Sequence, residues 1–233
     1  MMIYLSGVTN KAIQESLIAA GIGIIATRKS YGPAVIEAFP YYGADNGAFT
    51  DKWVEEPWLK WLSRLDPSKC LFAVAPDVYP DAQASLDRGL KYTELLRSMG
   101  FPAAIVAQDG AEKIDYPWDE FDCLFIGGAR TKDPKDEWKV SPESWELIRK
   151  ARAQGKWVHM GRVNSYKRME WARAAGCHSV DGTCIKYSPR KNMLSLNVML
   201  ANLAVTAQFP QMAVWETPTH PIHRKMAATG FPT

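Results

Sequence analysis

The sequence predicts an α/β fold in which a single domain forms a (β/α)8 barrel of the TIM type. Eight short apolar runs with strand character recur along the chain, and amphipathic stretches or long loops separate them. Strands that alternate with helices favour a parallel sheet, and eight such units are enough to close it. The 233 residues also suffice for one full hydrophobic core.

The predicted strands are short and evenly spread. They cover residues 3–7, 22–27, 41–45, 71–77, 103–108, 123–127, 157–161 and 178–181. A doubly wound open sheet is the alternative arrangement of the same elements. It is disfavoured because no Gly-x-Gly-x-x-Gly segment follows the first predicted strand and the sequence has no Walker-type loop.

Helices are predicted between most of the strands. They cover residues 10–20, 53–65, 82–99, 142–154, 166–175 and 192–206. Ser141 and Ser165 precede two of them as N-caps, and Gly155 and Gly176 end them. The barrel domain is therefore predicted to span residues 1–206. The proline-containing segment 207–233 is predicted to form a C-terminal arm.

Composition narrows the function classes. The apolar runs are too short to span a bilayer, and the N-terminus lacks the features of a signal peptide. A cytoplasmic protein without a membrane partner is expected, in the host cytoplasm if the protein is viral. The four cysteines contain no Cys-x-x-Cys pair, which favours buried free thiols. A metal site at Cys177, His178 and Cys184 is the less favoured alternative.

Polar residues follow six of the predicted strands. The segments are Asp45-Asn46-Gly47, Asp77, Gln108-Asp109-Gly110, Gly127-Gly128, Gly161-Arg162 and Asp181-Gly182. Aspartate before glycine is a common turn sequence, so each segment alone is a weak signal. Because the carboxyl ends of barrel strands meet at one mouth, the ordered set predicts a single site there.

Basic residues are concentrated in the last third of the chain. Although the net charge is only +3, residues 149–191 contain eleven Lys or Arg and two acidic residues. Solvated helix faces are one interpretation. The other is a phosphate-binding surface around Asp181.

The ordered strand ends resemble the tRNA-guanine transglycosylase superfamily, and are most similar to its short DNA-acting members from phages and bacteria. The resemblance covers residues 45–192. Residues 45–49 resemble the family's Asp-Ser-Gly-Gly-aromatic segment, and residues 181–192 resemble its nucleophile segment. The intervening strand ends match by their order. The tRNA enzymes' zinc subdomain has no counterpart here, which favours DNA over tRNA as the partner.

The resemblance implies that guanine in DNA is replaced by a 7-deazaguanine base such as preQ0, through a covalent aspartyl-sugar intermediate. Asp181 would be the nucleophile and Asp45 the proton-transfer group. The implied base-binding residues are Asp77, Gln108, Gly127, Gly128, Phe49 and Tyr79. The implied nucleic-acid-binding residues are Arg162, Lys186, Arg190 and Lys191. No metal or other cofactor is implied.

Four alternatives keep the same fold. They are a tRNA-guanine transglycosylase, a deazaguanine nucleoside hydrolase, a non-catalytic nucleic-acid-binding barrel, and a lyase or isomerase of small molecules. No glycine-rich phosphate-binding loop after the seventh or eighth strand supports the last of these. The sequence leaves the oligomeric state open.

Overall fold

Eight parallel strands close into a barrel in the order of the chain. The computed structural model describes residues 2–7, 10–48, 53–129, 131, 137–186, 192–198 and 201. The strands are β1 (Ile3–Ser6), β2 (Gly23–Ala26), β3 (Tyr42–Ala44), β4 (Cys70–Val74), β5 (Ala103–Ala107), β6 (Cys123–Ile126), β7 (Trp157–Met160) and β8 (Ser179–Gly182). Each strand pairs with its neighbour, and β8 pairs with β1. The predicted α/β TIM barrel is confirmed.

Helices connect most of the strands on the outside of the barrel. They are α1 (Lys11–Ala19), α2 (Pro33–Glu37), α3 (Glu55–Leu62), α4 (Ala82–Ser98), α5 (Pro142–Ala153), α6 (Tyr166–Ala175) and α7 (192–198). The side chains of Ser141 and Ser165 cap α5 and α6 as expected, and Gly176 ends α6 with a φ of 105°. Between β5 and β6 the described chain forms only the two 3-10 turns Ala111–Lys113 and Trp118–Glu120.

Two apolar layers hold the barrel together, because successive strand side chains point to opposite faces. Along β1, Leu5 packs into the interior layer and Tyr4 into the layer between strands and helices. The interior layer consists of Ile3, Leu5, Tyr41, Leu71, Phe72, Val74, Ala104, Val106, Cys123, Phe125 and Trp157. This interior is mostly apolar, although the buried polar side chains of His159 in β7 and Ser179 in β8 also face it.

Three other sequence-based predictions concern the whole chain. All four cysteines are free thiols; Cys184 is half-buried and the other three are buried. No helix in the described ranges is long and apolar enough to cross a membrane. The predicted arm at 207–233 lies outside the described residues.

Gly43 in β3 is a tight point of the barrel interior. A methyl group added there would lie 2.8 Å from Phe72 Cζ and 3.1 Å from Leu5 Cδ1. The small residue lets β3 approach the Phe72 ring, which packs against Phe125 and His159 in the barrel interior.

We expect Gly43→Ala to destabilise the protein by about 1–3 kcal/mol, because overpacking forces neighbouring side chains off their preferred rotamers. Urea unfolding measures the change. Gly32→Ala is the matched control, since a methyl group at Gly32 would meet no atom within 4 Å. Adding Phe72→Leu to Gly43→Ala should recover part of the loss, and equal losses in the two glycine variants would contradict this account.

Candidate active site

Three carboxylates from different parts of the barrel meet at its C-terminal mouth. Asp45 follows β3 directly, Asp77 lies three residues after β4, and Asp181 is part of β8. The three side chains are close enough for their charges to interact, because Asp181 and Asp77 both raise the pKa of Asp45. The predicted convergence of these three residues at one mouth agrees with the structure, whereas their chemical roles stay predictions.

Asp45 has the most perturbed carboxyl group of the three. Burial raises its pKa to about 6, and the charges of Asp181 and Asp77 add to this effect. The backbone N–H of Gly47 donates to Asp45 Oδ1 over 2.7 Å and acts in the opposite direction. A carboxyl group with this pKa can both accept and release a proton near neutral pH.

Asp77 is held by two side-chain amides. Asn46 Nδ2 donates to Asp77 Oδ1 over 3.0 Å, and Gln108 Nε2 donates to Asp77 Oδ2 over 2.8 Å. Burial raises the pKa of Asp77, and these two hydrogen bonds partly offset that rise. The carboxylate is therefore fixed in orientation by neutral donors, with lone pairs left on both oxygens for a ligand.

Gln108 and Gly128, which were predicted to bind a ligand carbonyl, contact each other in the structure. The backbone N–H of Gly128 donates to Gln108 Oε1 over 3.2 Å. Gly127 permits the close approach of strands, since a methyl group there would lie 3.0 Å from Val106 Cγ1 and 3.3 Å from the Ala107 carbonyl oxygen. Gln108, which is held by the Gly128 amide, therefore positions Asp77. Ligand contacts of Gln108, Gly127 and Gly128 stay a prediction.

Asp181 receives hydrogen bonds from the end of β7. His159 Nε2 lies 3.0 Å from Asp181 Oδ2, and the backbone N–H of Arg162 donates to Oδ1 over 3.3 Å. Arg162 has a φ of 61°, in the left-handed region that non-glycine residues seldom adopt. Asp181 itself is only 8% exposed. The turn after β7 thus bends so that its amide meets the carboxylate.

Hydrogen bonds from charged side chains connect the loop after β6 to the loop after β7. Lys139, which is 1% exposed, donates from Nζ to the Gly161 carbonyl oxygen over 3.0 Å. The Arg162 guanidinium, in the loop after β7, donates to the Gly128 carbonyl oxygen in the loop after β6. Arg168 of α6 adds an ion pair, with its Nη2 3.1 Å from Glu137 Oε2. Burial, followed by the charge of Arg162, lowers the pKa of Lys139 to about 8.

The remaining predicted site residues that the structure describes are Tyr79, Arg162 and Lys186. Tyr79 is 42% exposed and precedes a cis bond to Pro80. The Arg162 guanidinium, predicted to hold phosphate, contacts backbone carbonyls. Lys186 ends the 3-10 turn Cys184–Lys186. Phe49, Arg190 and Lys191 lie outside the described residues. Phosphate binding by the basic residues stays a prediction.

Sequence reasoning missed His159 and Lys139. His159 could have been found from strand alternation, because it lies two residues after Trp157 and faces the same interior. Lys139 has no such signal, since only the tertiary structure brings its loop to Gly161. In the described part of the chain, no group of three or more His, Cys, Asp or Glu side chains is arranged to hold a metal ion.

Comparison with known proteins supports the fold and no particular activity. The chain matches no protein family and no curated protein. It is similar to the crystal structure of the HpcH/HpaI aldolase from Desulfitobacterium hafniense DCB-2, with a TM-score of 0.50 and 14% sequence identity over 90% of this chain and 94% of that one. At this identity the similarity shows a shared barrel fold alone.

The resemblance to the tRNA-guanine transglycosylase superfamily is therefore wrong, and so is the predicted exchange of guanine for a 7-deazaguanine base in DNA. No family match supports either, and a solved barrel that this chain resembles is an aldolase. The physical reason is that strand-end acids and glycines suit the mouth of any TIM barrel, where strands turn into loops. Their order along the chain follows from the fold and does not identify a family.

The raised pKa of Asp45 predicts a pH-dependent gain of stability in Asp45→Asn. The folded state keeps a proton between about pH 4 and pH 6 that the unfolded chain releases, so wild-type stability falls as pH rises through this window. We expect the variant to be more stable than the wild type by about 1–3 kcal/mol above pH 7.

Urea unfolding at about pH 4 and about pH 7.5 measures this difference, which should disappear at the lower pH. Asp115→Asn is the matched control, because Asp115 is an exposed carboxylate in the segment between β5 and β6. A variant at Asp45 that is no more stable than the wild type at the higher pH would refute the account.

Proposed function

We propose that this protein is an enzyme that transfers protons on a small polar molecule at the mouth of the barrel, as a lyase or an isomerase. The observation that carries the proposal is the convergence of Asp45, Asp77 and Asp181 at one mouth of the barrel, where burial and the charges of the other two raise the pKa of Asp45 to about 6. Carboxyl groups shifted towards neutral pH by burial and by like charges are typical of acid–base sites.

The three carboxylates have separate roles in this proposal. Asp45 removes a proton from carbon and returns it, since its pKa suits both directions near neutral pH. Asp181, which is held by His159 and by the Arg162 amide, supplies a fixed negative charge or the second proton-transfer group. Asp77, which is held by Asn46 and Gln108, orients the substrate.

The charge distribution favours a substrate that is neutral or cationic where it meets Asp45 and Asp77. The amides of Asn46 and Gln108 hold the Asp77 carboxylate, while the cation Arg88 donates to the Asp77 backbone carbonyl oxygen and acts on the carboxylate only through its charge. An anion bound directly at the carboxylate would be repelled. An N–H group of the substrate would instead find carboxylate acceptors on that side of the mouth. The Lys139 and Arg162 cations lie towards β6 and β7, where they donate to backbone carbonyls.

Deuterium exchange into small carbon acids tests the proposal. Simple ketones, hydroxyketones and amide-bearing 2-oxo compounds are incubated with the protein in deuterated buffer and followed by proton NMR. We expect catalysed exchange into at least one of these classes. Asp45→Asn should lower the rate by about 10²–10⁴-fold, the usual contribution of a positioned acid–base group.

The pH dependence provides a second measurement. With Asp45 as the base, kcat/KM should rise with pH and level off above about 6, because only the ionised carboxylate accepts a proton. Asp115→Asn, a change of an exposed carboxylate between β5 and β6, should exchange at the wild-type rate. The proposal fails if none of these compounds exchanges, or if Asp45→Asn is as active as the wild type.

A further inference from the structure

A continuous chain of buried hydrogen bonds crosses from the start of β7 to the end of β8. Trp157 Nε1 donates to Ser179 Oγ over 2.9 Å, Ser179 Oγ lies 2.8 Å from His159 Nδ1, and His159 Nε2 lies 3.0 Å from Asp181 Oδ2. The register pairs His159 with Ser179 across the two strands. Because side chains two residues apart share a face, all four groups point into the barrel.

The two ends of this chain set the direction of every hydrogen bond in it. An indole N–H can only donate, and an ionised carboxylate can only accept. A neutral His159 must therefore carry its proton on Nε2 to donate to Asp181, which leaves Nδ1 as an acceptor. The Ser179 hydroxyl then donates to Nδ1 and accepts from Trp157. Trp157, Ser179 and His159 therefore each donate one hydrogen bond along the chain.

The opposite tautomer is disfavoured by the same geometry. With the proton on Nδ1, the Nε2 lone pair would face the Asp181 carboxylate at 3.0 Å without a proton between them. The doubly protonated ring is disfavoured as well, since His159 is fully buried and its pKa is lowered by burial against the opposing effect of Asp181. The rings of Phe72 and Phe125, at 4.6 and 4.7 Å between centroids, flank the imidazole.

We propose that His159 is a positioning residue, held by Ser179 and Trp157 as the neutral Nε2–H tautomer, which orients Asp181 Oδ2 and keeps it hydrogen-bonded. The other oxygen, Oδ1, is left with the Arg162 amide and a free lone pair for substrate. This role in the reaction rests on the proposed function, whereas the tautomer and the hydrogen-bond chain do not.

Nitrogen NMR of the full chain labelled with nitrogen-15 histidine tests the proposal without any substrate. The sequence has four histidines, and the signals lost in His159→Gln identify those of His159. At about pH 7 we expect one neutral form with protonated Nε2 and unprotonated Nδ1. A ring protonated on Nδ1, or an imidazolium, would overturn the proposal.

A pair of serine variants tests the part played by Ser179. Ser179→Ala removes the donor to Nδ1, so we expect the His159 nitrogen signals to move towards a mixture of tautomers and the Nε2 proton to exchange faster with water. Ser144→Ala is the matched control, because Ser144 is equally buried and its hydroxyl donates to the Ser141 carbonyl oxygen in α5. It should leave the His159 signals unchanged.

Unchanged His159 signals in Ser179→Ala would show that Ser179 does not hold the tautomer. Should that variant not fold, Ser179→Thr takes its place: it keeps the hydroxyl and should keep the wild-type tautomer, and a changed tautomer there counts against the proposal. Failure of the proposed function would appear as an absence of deuterium exchange, which leaves these NMR measurements unaffected.

Discussion

The closure of eight parallel strands is the constraint on which the rest of this structure depends. Once β8 pairs with β1, every strand ends at the same mouth, so Asp45, Asp77 and Asp181 lie near one another although 136 positions separate the first from the last in the numbering. Burial, with a smaller effect from the charges of Asp181 and Asp77, raises the pKa of Asp45 to about 6. This arrangement is the basis of the proposed acid–base function.

The protein offsets this concentration of negative charge mainly with neutral donors. Asn46 and Gln108 satisfy Asp77, and His159 and a backbone amide satisfy Asp181. Such donors stabilise and orient a carboxylate without masking its charge from a ligand. The cations Lys139 and Arg162 instead donate to backbone carbonyl oxygens and so connect the loops that follow β6 and β7.

The misleading family resemblance has a structural explanation. Glycines at the strand ends are favoured by the local backbone: Gly127 has little space for a larger side chain, and Gly128 has a positive φ. Carboxylates at the same positions are common in TIM barrels, because the C-terminal ends of the strands form the functional mouth. A series of such residues therefore predicts the fold, but it does not identify the reaction. Activity has to be argued from the contacts of each group, as for the raised pKa of Asp45.

Local sequence by itself determined the eight strands, the caps of α5 and α6, and the presence of acids at the strand ends, because hydrophobic period and turn residues act over a few positions. Asp45 accepts from the nearby Gly47 amide, but tertiary structure alone decided the partners of Asp77 and Asp181. The contact of Lys139 with Gly161, and the placing of Ser179 beside His159, depend on strand register and loop packing across the barrel. Burial and distance between remote groups set their chemistry, and neither is encoded in any local pattern.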